Sequence, residues 1–296
     1  VLGAAVATIP DLDVFLLPFF SELERISIHR GFSHSIVFSL IGAFLIAFVL
    51  SKIKWTKQIS YLNLWVFSWL SLFTHILLDA FTTYGTQLFL PFSNYRISFD
   101  SINIVDPFYT VPLLLGLVFS LWFFRKKSNR SIYAKIGLGI STIYLLSTLW
   151  VKHSVNQEFN VQLKGKGIEY KDLLTVPVKS GSLNWYGVAK IDSSLLIGTY
   201  NFVQDNPITF TEFAINDDLL NDLDVELTET LKWFSKGFYT VVKHNNKLRL
   251  YNMQCDMQGI RKFGNYKVPT AFYFEITSQP DGSNRLSTGM HKNEKQ

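Results

Sequence analysis

The sequence predicts a mainly α membrane helical bundle, with four spans plus a partial N-terminal one, followed by a smaller α+β extramembrane domain. Three observations carry this expectation. The 296 residues are 48% hydrophobic and only 17% charged, against about a quarter charged in ordinary soluble domains. Long runs without a formal charge, Gln58–Leu78 and Pro107–Phe124, interrupt the chain, and about 18 apolar residues suffice to cross a hydrocarbon core of roughly 30 Å as helix. From about residue 152 onward, helical-length apolar runs give way to period-two alternation of strand type.

The elements follow in order. Val1–Pro10 reads as the end of a helix. The chain opens on Val in mid-hydrophobic run, with no basic n-region and no A-x-A-like site, which predicts a missing preceding segment rather than a signal peptide. Spans are expected at 35–51, 58–79, 107–124 and 133–151, the shorter ones flanked by lysines whose stems can snorkel. Two short basic loops, Lys52–Lys57 ("KIKWTK") and Arg125–Lys135 ("RKKSNRSIYAK"), separate them in pairs.

Short Lys/Arg-rich loops stay on the cytoplasmic side of a membrane. That rule predicts a multi-pass protein of the cytoplasmic (inner) membrane whose loop "IHRGFSHS", loop Ala80–Asp106 and whole C-terminal domain lie outside. The same loops account for much of the net charge of +5, so no nucleic-acid partner is implied. The single cysteine, Cys255, permits no internal disulfide and reads as a packed small residue.

The tail shows strand patterns in "NWYGVAKI", "SLLIGTYNFV", "ITFTEFAI", "FYTVVKH", "KLRLYNM" and "TAFYFEIT". Between them, Asn216 is placed to cap a helix with Leu219, Leu220, Leu223, Leu227, Leu231 and Phe234 on one face, ending at Gly237. The expected organisation is a transmembrane helical domain at 1–151, an α+β extracytoplasmic domain at 152–280, and a polar, disordered tail at 281–296.

Histidines and carboxylates gather on one predicted side of the membrane: Asp11 and Asp13 in "IPDLDVF", His29 and His34 in "IHRGFSHS", His75 and Asp79 in "THILLDAF", and Asp106 in "VDPFYT". His75 and Asp79 are four apart, so a helix projects both from one face. Ionisable groups at membrane depth face a bundle interior, pair, or do work. Imidazoles and carboxylates from three segments suit a divalent metal, with zinc favoured and manganese or iron also fitting. This many candidate ligands leaves room for one ion or two. Arg30 and Arg96 are candidate clamps for an anionic substrate or developing charge. Arg30, Arg96 and Asp106 are therefore the expected catalytic groups.

Each residue also has a plainer reading. "PDLD" is also a turn, His75 a core histidine, Asp106 a helix N-cap before Pro107, and Arg96 a snorkelling cation. Ser33 and Ser35 read as N-caps of the following helix. The case for a site rests on coincidence, since all of the plain readings would have to hold at once.

Taken together, "PDLD", "HRGFSHS", "HILLDAFTTYGTQLFLPFS" and "DPFYT" resemble the YdjM-type membrane-bound metal-dependent hydrolases over about residues 1–150. Carried onto this chain, the resemblance implies metal contacts from Asp11, Asp13, His29, His34, His75 and Asp79. Members of that family begin with a polar His or Gln segment ahead of "PDxD" that this chain lacks, and often read "THS" where this chain has Ser33, His34 and Ser35 after Phe32. The His-x-x-x-Asp spacing more distantly resembles helical zinc-dependent phospholipases C and P1-type nucleases, which tilts the expectation toward phosphoesters.

Three function classes follow. One is a membrane-bound metal-dependent hydrolase acting at the outer face on a small-molecule or lipid-like substrate, with membrane lipids as its other partner. Another is a non-catalytic membrane protein whose β-rich tail binds an envelope partner. The third, a transporter, fits less well, because transport sites sit near the midplane and these residues cluster at one end. Aromatic residues Phe81, Tyr84, Phe89, Phe92 and Tyr95 near the expected site favour an amphiphile.

Overall fold

The computed structural model describes residues 2–178, 181–204, 206–254, 261–263, 266–268 and 270–291. Cys255 and residues 292–296 lie outside the described residues. The chain divides into two compact units, one of residues 1–99 with 225–234, the other of residues 100–224 with 235–296.

In the first unit, helices α1 (Leu2–Ala7), α2 (Glu22–Ile28), α3 (Ile36–Ser51) and α4 (Tyr61–Phe81) are joined by 3-10 turns at Pro10–Phe15, Leu17–Phe19 and Phe32–His34. Ser21 starts α2 through a capping box with Glu24, and Ser35 caps α3 by accepting from the Phe38 amide at 3.0 Å. Small residues let α3 and α4 approach closely. Val6, Ala43 and Leu72 form one buried cluster and Ala47, Leu50 and Leu64 another. The outward faces carry exposed Ile41, Phe44, Phe48, Leu62 and Leu70, an arrangement suited to lipid rather than water.

The second unit opens with α5 (Pro107–Val118), continued by a π turn to Phe123, and then α6 (Ser131–Gly165). Its strands are β1 (Asp172–Pro177), β2 (Asn184–Lys190), β3 (Ser194–Asn201), β4 (Phe210–Ala214), β5 (Tyr239–His244), β6 (Lys247–Asn252), β7 (Arg261–Phe263), β8 (Tyr266–Val268), β9 (Phe272–Ser278) and β10 (Asn284–Met290). They make two four-stranded antiparallel sheets, β1-β2-β3-β4 and β10-β9-β6-β5, and a β7-β8 ribbon.

α6 explains how a membrane helix becomes part of a sheet domain. At 35 residues it is about 52 Å long at 1.5 Å per residue, well beyond a bilayer core. Its first half exposes Ile136, Ile140 and Ile143, whereas its last turns bury Val155, Phe159 and Leu163 against Trp185, Ala189 and Leu196. Gly187 on β2 makes room for this packing, because a Cβ there would lie 2.1 Å from Phe159 Cε1. The helix thus runs unbroken through residue 151, where a domain boundary was expected.

Among the described residues, two helices are long and apolar enough to span a membrane, Tyr61–Phe81 and Ser131–Gly165. A bent pair, Glu22–His34 with Ile36–Ser51 at 56°, raises this to three. The expected count of four is not confirmed by helix length and composition among the described residues. α3 alone has 16 residues, about 24 Å, and α5 has Pro112 inside it and loses α-helical geometry after Val118.

The tail departs from expectation in three places. Asn216 does not cap a helix; it adopts a left-handed conformation (φ 56°) and donates from Nδ2 to Val241 O at 2.8 Å. The single helix expected after it is a 3-10 turn at Asp217–Leu220 and then α7 (Val225–Phe234), in the first unit. Asn221, Asp222 and Asp224, whose short polar side chains compete for backbone groups, fall at the break. Strand β1 carries no alternation because Leu174–Pro177 are all buried. Asn284–Met290, within the stretch expected to be disordered, pair with β9 from Asn284↔Ser278 to Met290↔Phe272.

Candidate metal centre

Three segments of the first unit meet at the C-terminal end of α4. The turn after Pro10 presents Asp11 and Asp13. The short 3-10 turn before α3 presents His34. The last turns of α4 present His75 and Asp79 one above the other, as their spacing requires.

His34 Nε2 lies 3.3 Å from Asp11 Oδ1 and 3.3 Å from Asp79 Oδ2. His75 Nε2 lies 3.4 Å from Asp11 Oδ1 and 3.6 Å from Asp79 Oδ2. Ligand atoms of all four residues fall within 4.8 Å of one another. His34 Nε2, His75 Nε2 and Asp79 Oδ2 are buried without a hydrogen-bond partner, and buried polar atoms are ordinarily satisfied. A tetrahedral ion with bonds near 2.1 Å has ligand-to-ligand edges of about 3.4 Å. Four of the six separations match those edges and all six lie within 4.8 Å, so these four residues fit a single divalent cation. His34 is fully buried, while the Asp11 side chain is 51% exposed, leaving the cluster open on its side.

Asp13 and His29 do not join the four; they support them. Asp13 accepts from the Arg30 amide at 3.0 Å and from Ser33 Oγ at 3.3 Å, and lies 3.3 Å from His29 Nδ1. Ser33 Oγ is in turn 2.9 Å from His34 Nδ1, and Asp13 Oδ2 is 3.6 Å from it. This occupies one ring nitrogen of His34 and turns the other toward the cluster, the usual arrangement behind a ligating imidazole. Ser33 is therefore not the helix N-cap expected of it; Ser35 alone fills that role. Burial by itself would raise the Asp13 carboxyl, but the bonds from His29 and the Arg30 amide, with the charges of His29 and His34, hold it below its ordinary value.

Arg30 has φ +54°, which points its amide at Asp13 and its side chain at α4. Its guanidinium reaches Asp79 Oδ1 at 3.2 Å and donates to Thr82 Oγ1 at 2.9 Å. The next residue must be glycine, since a Cβ on Gly31 would lie 2.8 Å from the carbonyl oxygens of both Ser27 and Ile28. Gln87 ties the same loop down, donating from its amide to Arg30 O and from Nε2 to Ser27 O.

Of the three expected catalytic groups, Arg30 is the one that touches the cluster within this unit, and its contacts orient Asp79. Arg96 is buried and donates to Phe234 O at 2.7 Å and to Tyr84 O. Asp106 belongs to the second unit. There it caps α5 by accepting from the Phe108 amide at 2.9 Å, and it also accepts from Tyr144 Oη at 2.8 Å and the Gly181 amide at 3.2 Å. The N-cap reading left open by the sequence is the one this geometry bears. Thr82 and Gln87 escaped the sequence reading, because neither residue type signals metal chemistry; only their place just past Asp79 could have pointed to them.

Residues 1–155 match the family described as YdjM inner membrane protein. The uncharacterized protein YfhP of Bacillus subtilis (strain 168) is 32% identical over 158 residues, 52% of this chain and 46% of that protein. The inner membrane protein YbcI of Escherichia coli (strain K12) is 35% identical over 83 residues, 28% of this chain and 46% of that protein. The chain thus spans about half the length of the curated relatives it matches. No solved structure is significantly similar. With its match over residues 1–155 of 296, the chain belongs to the YdjM inner membrane protein family.

Proposed function

We propose that this protein is a membrane-bound metal-dependent hydrolase, acting at the outer face of the inner membrane on a phosphoester of amphiphilic, lipid-like character. The observation that carries the reading is the convergence of His34, His75, Asp11 and Asp79 with three of their polar atoms buried and unsatisfied. Zinc suits two imidazoles and two carboxylates, with manganese or iron as alternatives.

A divalent ion bound there would supply a water of lowered pKa and polarise an ester oxygen. The chain's own residues prepare the place for it. His34 presents Nε2 because Ser33 and Asp13 engage its other nitrogen. Arg30 orients Asp79 by pairing with its Oδ1. Asp11, half-exposed, borders the opening through which water and substrate enter.

A lipid-like substrate is favoured by the apolar residues on the same segments. Leu12, Phe15 and Phe19 are exposed on the turns that carry Asp11 and Asp13, and Phe89, Phe92 and Tyr95 are exposed on the loop after α4. The four-span topology with the C-terminal region outside is supported by exposed apolar faces on α3, α4, α5 and α6 and by the basic loops at 52–57 and 125–135.

The test is metal analysis of the full chain purified in detergent, followed by a screen of phospholipids, nucleotides and generic phosphodiesters with added zinc or manganese. The reading expects about one ion per chain and turnover of at least one phosphoester class. It fails if the protein carries no stoichiometric metal, or if His34→Ala and Asp79→Ala leave metal content unchanged.

A further inference from the structure

We propose that Arg96 is a positioning residue through which α7, a helix from the C-terminal part of the chain, sets the geometry of the metal centre. This inference rests on the metal-binding reading above and gives the C-terminal region a role in it.

α7 packs against α2, and its last residues close around Arg96. The Arg96 guanidinium lies 4.1 Å from the Phe234 ring centre, 4.9 Å from that of Tyr84 and 5.4 Å from that of Trp233. It donates to the carbonyl oxygens of both Phe234 and Tyr84. Trp233 adds a bond from Nε1 to Asn94 O at 3.1 Å. A guanidinium held between ring faces and two carbonyls is a fixed spacer, because its planar fork can satisfy both oxygens only in one orientation.

The spacer acts through Tyr84. The Phe234 ring meets Tyr84 edge-on at 5.4 Å, and Tyr84 meets the His29 ring edge-on at 5.3 Å. The Arg30 guanidinium also lies over the Tyr84 ring, at 5.1 Å. Arg30 and His29 are the residues that orient Asp79 and Asp13. The pairing Thr86↔Ile97 clamps the loop so that Arg96 stays beside Tyr84. The contacts therefore run without a gap from α7 through Arg96 and Tyr84 to Arg30, and from Arg30 to a ligand carboxylate. Groups that touch a metal's ligands directly typically contribute 10–100-fold in affinity, and Arg96 stands two contacts behind Arg30, the group here that touches Asp79.

The experiment compares full-length wild type, Arg96→Lys and Phe234→Leu in detergent. It reads zinc affinity by competition with a chelating dye, and hydrogen exchange over residues 79–87. Lysine keeps the charge but lacks the planar fork that fixes both carbonyls and stacks on the rings, and leucine keeps buried apolar volume but removes the ring. Both variants should bind zinc about tenfold more weakly and lose exchange protection at 79–87. A variant that unfolds is recognised by loss of protection throughout α3 and α4, and the other variant then decides. Exchange protection lost at 79–87 with zinc affinity within twofold of wild type overturns the proposal, since α7 would then be merely structural. If wild type itself binds no zinc or manganese, the metal reading has failed and this inference falls with it.

Discussion

His34 Nε2 and Asp79 Oδ2 stand 3.3 Å apart, both buried and neither with a hydrogen-bond partner. Leaving such atoms bare in a desolvated interior costs a few kcal/mol each. Two more atoms, His75 Nε2 and Asp11 Oδ1, complete the ring around the same point. A shared cation would relieve all of this unpaired polarity at once.

Substitutions should therefore grade with distance from that point. His34→Ala, His75→Ala and Asp79→Ala are expected to abolish stoichiometric metal. Asp13→Ala, which removes the support behind His34, should weaken affinity about 10–100-fold while leaving the stoichiometry reachable at high metal. Isothermal titration of the purified variants separates the two classes. Equal losses at Asp13 and Asp79 would erase the distinction between ligand and support.

Asp106→Ala tests the division of labour among the carboxylates. Loss of the α5 cap and of the partner of Tyr144 and Gly181 should cost about 0.5–2 kcal/mol in stability. Metal content should be unaltered. Thermal unfolding alongside metal analysis gives both readouts, and a variant of normal stability that has lost its metal would restore Asp106 to the site.

Two close approaches should prove intolerant of a methyl group. Gly187→Ala places Cβ against Phe159, and Gly137→Ala places it 2.5 Å from Pro112 O, where α5 and α6 touch. Each should destabilise by about 1–3 kcal/mol through overpacking. Gly139→Ala, two residues along on the same helix with nothing within 4 Å, should be neutral or stabilising by about 0.5–1 kcal/mol. Detergent-resistance and thermal melting of the three variants check the contrast.

The second sheet carries a pH dependence of known sign. Lys247 at 2.6 Å holds the Glu275 carboxyl below its ordinary value; partial burial opposes this and Arg249 at 3.0 Å reinforces it. A depressed carboxyl contributes stability that is fully present above the ordinary value and lost as pH falls below about 4.5 toward the folded-state value. Melting curves of wild type should therefore shift down through that range more than those of Glu275→Gln. Equal acid shifts would place the dependence elsewhere.

The orientation of the C-terminal region is open to a direct measurement. If the basic loops at 52–57 and 125–135 stay inside, as short Lys/Arg-rich loops do, a phosphatase fused after Gln296 should be active and a green fluorescent reporter there dark. The opposite pair of outcomes would invert the topology.

Local pattern alone was enough to mark the four residues that the structure brings together. The His75/Asp79 spacing on a helix, the two aspartates after Pro10 and the pair of histidines ahead of an apolar run are periodic or adjacent signals, readable without contacts. Six of the strands announced themselves by alternation, whereas β1, buried along Leu174–Pro177, and the polar β10 did not. Long-range packing settled the rest. Which four of the candidate ligands share a point, why Asp13 and His29 stand one layer back, and how Arg96 comes to be gripped by Trp233 and Phe234 all depend on segments distant in the chain. Such contacts leave no trace in spacing, because the partners are brought together by burial of other residues, and their identities are constrained only once the fold exists.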